Sequence, residues 1–208
     1  MSSRTGNGGL GVAVLAGGAS ARMGVDKALL RGRPGGPTMI ETVVARLREA
    51  GLAPDLLVTN SPAAFAFLGL PMQPDEKPGA GPLGGIYTAL VRLPCERALV
   101  VGCDMPLLSP GLLRYMAGLP DDAGALVPRW TDAEGHAHVE TLHAIYSRRC
   151  IEPVRRRIEA GRLKVRALLD EVSVRYLDEA ELRRYDPELE SFRNANTPEE
   201  WERLRDRL

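Results

Sequence analysis

Residues 12–30 read VAVLAGGASARMGVDKALL, and the rest of the chain is organised around this stretch. The four apolar residues 12–15 predict a short buried strand that stops at Ala16-Gly17-Gly18. Paired glycines directly after a strand let the backbone turn sharply and bring its N–H groups against something bulky and anionic. Arg22 and Lys27 follow, five positions apart in the same loop, so both cations can reach that anion. A strand, a glycine turn and two cations together point to a phosphate site. It is not a P-loop, because the string Gly, four residues, Gly-Lys-Ser/Thr is missing from the loop. A GxGxxG string does occur, at Gly6-Asn7-Gly8-Gly9-Leu10-Gly11, but it precedes the strand. The dinucleotide fingerprint works only between a strand and a helix, so residues 1–11 read as a flexible tail.

The chain has 208 residues, enough for one sizeable domain, and is 44% hydrophobic and 26% charged, as in ordinary globular proteins. Its 27 basic and 27 acidic residues cancel, which argues against a long nucleic-acid surface or attraction to an anionic membrane. Aromatic content of 5% also argues against single-strand binding by base stacking. Cys95, Cys103 and Cys150 are odd in number and widely spaced. They form neither a CxxC zinc pattern nor a disulfide framework, and read as free thiols in a reducing compartment. Residues 2–11 are polar and glycine-rich rather than a secretory apolar region, and no apolar run approaches the roughly 20 residues of a membrane span. A cytoplasmic protein is expected.

Beyond the glycine loop, residues 32–37 (GRPGGP) are a turn-rich connector. Thr38, with Glu41 three positions on, predicts a capped helix carrying Ile40, Val43, Val44 and Leu47 and stopping at Gly51. Residues 56–59 predict a second strand ending at Asn60, and Ser61-Pro62 opens a short helix. A third short strand near 70–73 delivers Asp75, followed by a glycine- and proline-rich loop, 77–85, and a helix through Tyr87, Leu90 and Val91. Residues 98–102 are a strongly apolar strand running into Cys103-Asp104-Met105-Pro106, and a helix over 110–118 and a strand over 125–127 complete a further unit. Residues 128–139 are polar and read as a loop or hairpin arm. Strands are predicted over 140–147 and 173–177, helices over 150–160, 163–169 and 178–185, and a final helix capped by Thr197, Pro198 and Glu200. Alternating strands and helices with short links indicate an α/β fold with a mostly parallel sheet covered on both faces. Ligands of such sheets lie outside the carboxyl ends of the strands. The Gly17 loop, Asn60, Asp75 and Asp104 each follow a predicted strand, which places all four on one edge.

Asp104 ends the most apolar strand. From its position alone it is either a Mg²⁺ ligand, since Mg²⁺ takes one or two carboxylates plus phosphate oxygens, or a turn aspartate ahead of Pro106. Asn60 and Asp75 are equally compatible with turn roles. His136, His138 and His143 lack a companion pattern of metal ligands and suit a structural or second-substrate role.

Three segments, LAGGASARMGVDKALL at 15–30, CDMP at 103–106 and FRNANTPEE at 192–200, resemble the signature of Rossmann-like nucleotidyltransferases, in particular the molybdenum cofactor guanylyltransferase family. The resemblance spans residues 12–204 and implies a three-layer fold in a single domain, with residues 12–127 holding the nucleotide and 128–208 the pterin. It implies GMP transfer from GTP to the phosphate of molybdenum-bearing molybdopterin, with Mg²⁺ on Asp104 and with Arg22, Lys27 and Asp104 catalytic. Leu15, Ala16, Gly17, Lys27, Asn60, Asp75 and Asp104 would contact the nucleotide. Asn194 or Asn196 would complete the metal site or hold the pterin, and molybdopterin-handling proteins would be the partners. Charge builds on phosphate oxygens and departing pyrophosphate during such a transfer, so fixed cations act on the transition state. The incoming phosphate is itself a nucleophile once positioned. Two features depart from the family: Glu140-Thr141-Leu142 stands where relatives often carry a proline, and residues 31–37 are longer and richer in glycine. A cytidylyltransferase acting on the same pterin and a GTP-binding accessory protein without turnover are the alternatives.

Overall fold

The computed structural model describes residues 9–17, 27–31, 33–120, 122–132, 134–195 and 197–205. Its strands are β1 (Leu10–Leu15), β2 (Leu56–Val58), β3 (Met72–Gln73), β4 (Arg97–Gly102), β5 (Ala125–Thr131), β6 (Ala137–Val139), β7 (His143–Ser147) and β8 (Val174–Leu177). They form one sheet in the order β3-β2-β1-β4-β7-β5-β6, with β8 also paired to β5. The β3-β2-β1-β4 half is parallel, as is the β5–β8 pair. β7 runs antiparallel between β4 and β5, and β5 and β6 form an antiparallel hairpin arm.

β1 is buried along its whole length because alternate residues face two different cores. Val12 and Val14 join Leu99 and Val101 against α1 (Met39–Glu49) and α4 (Pro110–Gly118). Ala13 and Leu15 join Ala98 and Val100 against α3 (Gly81–Arg92) and α5 (Ile151–Glu159). A strand apolar on both faces is the signature of a sheet between two helical layers. Short α2 (Pro62–Phe65) and α6 (Glu179–Leu182) add Phe65 and Leu182 to the first of these cores. A third cluster ties α7 (Pro198–Arg205) through Trp201 and Leu204 to Met39, Leu107 and Ala195.

Local signals place the helix starts. Thr38 accepts from Glu41 N–H at 3.3 Å while the Glu41 carboxylate accepts from Thr38 N–H at 2.7 Å, a complete capping box. The Thr38 N–H and hydroxyl, both donating to the Glu41 carboxylate, hold that carboxyl below the usual carboxylate range. At the final helix Thr197 accepts from Glu200 N–H at 3.1 Å and donates its own N–H to the Glu200 carboxylate at 3.2 Å, the reciprocal pair expected there.

The sheet corrects several sequence boundaries. β1 begins at Leu10, which pairs with Arg97, and Gly11 pairs with Ala98, so these two residues belong to the sheet and not to a tail. A Cβ at Gly11 would lie 2.7 Å from Cys95 Sγ, so this glycine serves close approach and not flexibility. The expected strand over 140–147 is ladder only from His143, because Glu140 folds back to accept from Leu142 N–H at 2.7 Å. The expected helices over 163–169 and 178–185 contract to a 3₁₀ turn at Val165–Leu168 and to α6.

Candidate active site

The parallel half of the sheet aligns the ends of β1–β4 on one rim: Leu15 is level with Val58 on one side and Gly102 on the other. Past the rim, Ala16 donates its N–H to Val58 O at 2.9 Å, and Cys103 donates to Leu15 O at 3.1 Å. The segment after β4 is thereby fastened to the end of β1, directly beside Ala16-Gly17.

Asp104 emerges from this fastening. Its Oδ2 accepts from Lys27 Nζ at 2.7 Å, across 77 positions of sequence. Lys27 opens the 3₁₀ turn Lys27–Leu29, whose Ala28 is anchored in the core. The two side chains are 24% and 18% exposed, sheltered enough to strengthen their attraction yet open to a ligand. A Cβ at Gly102 would lie 2.6 Å from Asp104 Oδ1, so the last residue of β4 must be glycine for the carboxylate to sit where it does. The Asp104 carbonyl accepts from Ala195 N–H at 2.9 Å, tying the C-terminal segment to the same point.

On the other side of β1, Asn60 and Asp75 lock each other. Asn60 Nδ2 donates to Asp75 Oδ2 at 2.9 Å, and Asp75 N–H donates to Asn60 Oδ1 at 3.0 Å. A Cβ on Gly17 would come within 3.7 Å of Asp75 Oδ2, so this pair borders Gly17. Burial raises the Asp75 carboxyl above its ordinary range, and the Asn60 hydrogen bond only partly offsets it. The strand order puts Asn60–Asp75 and Lys27–Asp104 on opposite flanks of residues 15–17. The arrangement is a rim with a cation, two carboxylates and a glycine at the strand end, chemistry suited to a phosphate-bearing nucleotide.

Of the sequence-predicted residues, Leu15, Ala16, Gly17, Lys27, Asn60, Asp75 and Asp104 thus come together. Arg22, Gly18 and Asn196 lie outside the described residues. Asn194 is exposed and lines a cleft of about 310 Å³ with Arg193, Glu200, Arg203 and Leu204. Glu140 escaped sequence reading. Burial, and secondarily the charge of Asp104, raises its carboxyl above the ordinary range. It arrives because antiparallel β7 begins where β4 ends, with Gly102 N–H donating to Leu142 O at 2.9 Å, and a non-local pairing of this kind leaves no mark in the local sequence.

His143 is fully buried beside Phe192, with ring centroids 5.4 Å apart. Burial pushes its imidazole down to about 4, so near neutrality it is an uncharged core residue, in line with a structural role. His136 and His138 do have a companion, contrary to the sequence reading: Asp132 Oδ2 lies 3.3 Å from one imidazole and 2.7 Å from the other. Cys95, Cys103 and Cys150 are free thiols. Among the described residues no helix is long and apolar enough to cross a membrane.

The chain is similar to known proteins over most of its length. The chain is 36% identical over 186 residues to a "Probable molybdenum cofactor guanylyltransferase" of Pelotomaculum thermopropionicum, covering 89% of this chain and 86% of the relative. It is 38% identical over 202 residues to a protein of the same name from Methanothermobacter thermautotrophicus, covering 91% and 95%. Among solved structures it superposes on molybdopterin-guanine dinucleotide biosynthesis protein A of Archaeoglobus fulgidus with a TM-score of 0.74 and 28% identity, covering 94% of this chain and 96% of that one. The family model for the MobA-like NTP transferase domain matches residues 12–177, from β1 through β8. The chain belongs to the MobA-like NTP transferase family and is a nucleotidyltransferase.

Proposed function

We propose that this enzyme transfers GMP from GTP to the terminal phosphate of molybdenum-bearing molybdopterin, forming the guanine dinucleotide cofactor and releasing pyrophosphate. The observation that carries this reading is the 2.7 Å pair between Lys27 and Asp104 beside the end of β1. An oxygen of the pterin phosphate attacks the α-phosphorus of GTP. A new P–O bond forms, the bond to the β-phosphate bridge breaks, and pyrophosphate leaves with the electron pair. Lys27, together with Arg22, neutralises the oxygens on which charge grows, an effect larger in the transition state than in bound GTP. The backbone at Leu15, Ala16 and Gly17 lies against the phosphates, while the mutually locked Asn60 and Asp75 hold the nucleoside end. No side-chain nucleophile is needed, because phosphate is nucleophilic when held in line.

Asp104 fits the role of Mg²⁺ holder. Its carboxylate is half-sheltered, fixed from one side by Lys27 and given room on the other by Gly102, and hard carboxylate oxygen is the donor Mg²⁺ prefers. When bound there, Mg²⁺ supplies charge neutralisation on the triphosphate. Residues 128–208 take the pterin, and the setting proposed is the cytoplasm, with molybdopterin-handling proteins as partners. The test is pyrophosphate release with molybdopterin and GTP, CTP or ATP in parallel. Strong preference for GTP supports the reading. Preference for CTP makes the enzyme a cytidylyltransferase, and GTP binding without pyrophosphate release makes the chain an accessory protein.

A further inference from the structure

The hairpin arm β5–β6 carries a second cluster that the transfer reaction does not use. Trp130 pairs with His138 and Thr131 with Ala137 across the arm, and Asp132 N–H donates to His136 O at 3.0 Å, continuing the same register. Residues two apart in a strand share a face, so Trp130 and Asp132 from one strand, with His136 and His138 from the other, all project from one side of the ribbon. Glu134 sits in the turn, which Gly135 closes with a φ of +86°. Asp132 Oδ1 accepts from Glu134 N–H at 3.1 Å and His136 N–H at 2.8 Å, which fixes the turn. Its other oxygen is the point on which both imidazoles converge, 3.3 Å from His136 Nδ1 and 2.7 Å from His138 Nε2. The ligand atoms of Asp132, Glu134 and His136 all lie within 4.8 Å of one another. The His138 ring is stacked on Trp130 at 5.2 Å, and Trp130 in turn on Phe192 at 4.5 Å, so its orientation is set from behind.

We propose that Asp132, Glu134, His136 and His138 bind one divalent transition-metal ion of the zinc class, at a site separate from the carboxylate pair on the rim. Donors 2.0–2.2 Å from a tetrahedral ion are about 3.4 Å apart; the ligand atoms of Asp132, Glu134 and His136 lie within 4.8 Å of one another in an exposed turn, and His138 joins them through the Asp132 oxygen that it meets at 2.7 Å. Two imidazoles with carboxylates select zinc, nickel or copper over Mg²⁺, which demands oxygen ligands. The His136 and His138 side chains are 75% and 44% exposed, so an ion has access. The bound ion would cross-link β5 to β6 and stiffen the arm at the rim where β7 begins.

The full-length protein, freed of metal by chelation, is titrated with Zn²⁺ alone in competition with a chromophoric chelator of micromolar affinity. One equivalent is expected to bind, and His136→Ala/His138→Ala is expected to weaken it by at least about tenfold, since even outer partners of metal ligands cost that much. Asp104→Ala should leave zinc affinity unchanged. Failure to compete with the chelator, or equal affinity in the double variant, overturns the proposal. In the unmodified protein the imidazole ¹⁵N resonances of His136 and His138 should shift on zinc addition while those of buried His143 stay; stationary resonances on the arm would also overturn it. Neither readout depends on guanylyl transfer, so the two assignments fail independently.

Discussion

Asp104 and Lys27 face each other across the rim at 2.7 Å, and the proposed chemistry places both on the triphosphate. Asp104→Ala is expected to lower kcat by at least about 100-fold, the scale of losing a preorganised electrostatic group. Its melting temperature should change by no more than several degrees, since the carboxylate contributes one partly sheltered ion pair and no apolar packing. Steady-state kinetics beside thermal melts decide between this and a structural aspartate. Chelation by EDTA should abolish turnover and added Mg²⁺ should restore it, measured as pyrophosphate release. His143 yields a prediction of a different kind. Its pKa falls from an ordinary 6.5 to about 4 on burial, so between those values the unfolded chain binds a proton that the folded chain refuses. Stability is therefore lost as pH falls from about 6.5 towards 4, by up to roughly 3 kcal/mol. Asp75 and Glu140, whose carboxyls are raised, push in the opposite direction, so the informative quantity is the difference between wild type and His143→Leu. Urea melts from pH 7 to pH 4.5 should show a shallower slope in the variant; parallel slopes would refute the assignment. At this scale the placement of Asp104, Asn60 and Asp75 on one rim was legible from sequence, because each follows an apolar run directly. Glu140 was not, because its neighbour Asp104 is reached only across the antiparallel pairing of β4 with β7.

Among elements, β4 and α1 show how a local rule and a distant contact divide the work. Gly102 ends β4, and a methyl group there would meet Asp104 Oδ1 at 2.6 Å. The clash is with the tip of a side chain, so Gly102→Ala should displace the carboxylate and leave the strand in place. Activity is expected to fall about tenfold or more, as small misplacements of reacting groups do, with little change in melting temperature. A loss of stability without a loss of activity would show that the glycine serves the strand instead. For α1, Thr38→Ala removes the hydroxyl that accepts from Glu41 N–H while the backbone N–H of residue 38 still donates to the Glu41 carboxylate; it should cost about 1 kcal/mol in chemical denaturation without altering KM for GTP. The cap was readable because Thr38 and Glu41 are three positions apart in one segment. The start of β1 was not, since a glycine in front of an apolar run reads as flexible until Cys95 is seen packed against it.

Over the whole molecule, the C-terminal segment closes the structure by burying Trp201 against Met39, Leu107 and Leu204, while Ala195 holds the Asp104 carbonyl. Trp201→Ala should destabilise the fold by about 3–5 kcal/mol and lower activity with it, through the same anchorage. Trp201→Phe should lose far less, because the indole Nε1 is buried without a hydrogen-bond partner among the described residues. Denaturation midpoints and kcat measured on the same preparations test both. The sequence by itself determined where the first strand ends, the succession of strands and helices, and the polar residues at strand ends, because each is written in neighbouring residues as an apolar run, a cap or a turn. Only the tertiary structure decided that β7 enters antiparallel between β4 and β5, that Glu140 thereby comes under the charge of Asp104, and that two arm histidines meet Asp132. A strand buried on both faces has the same apolar composition whichever way it runs, so its direction is settled by hydrogen bonding to partners far along the chain.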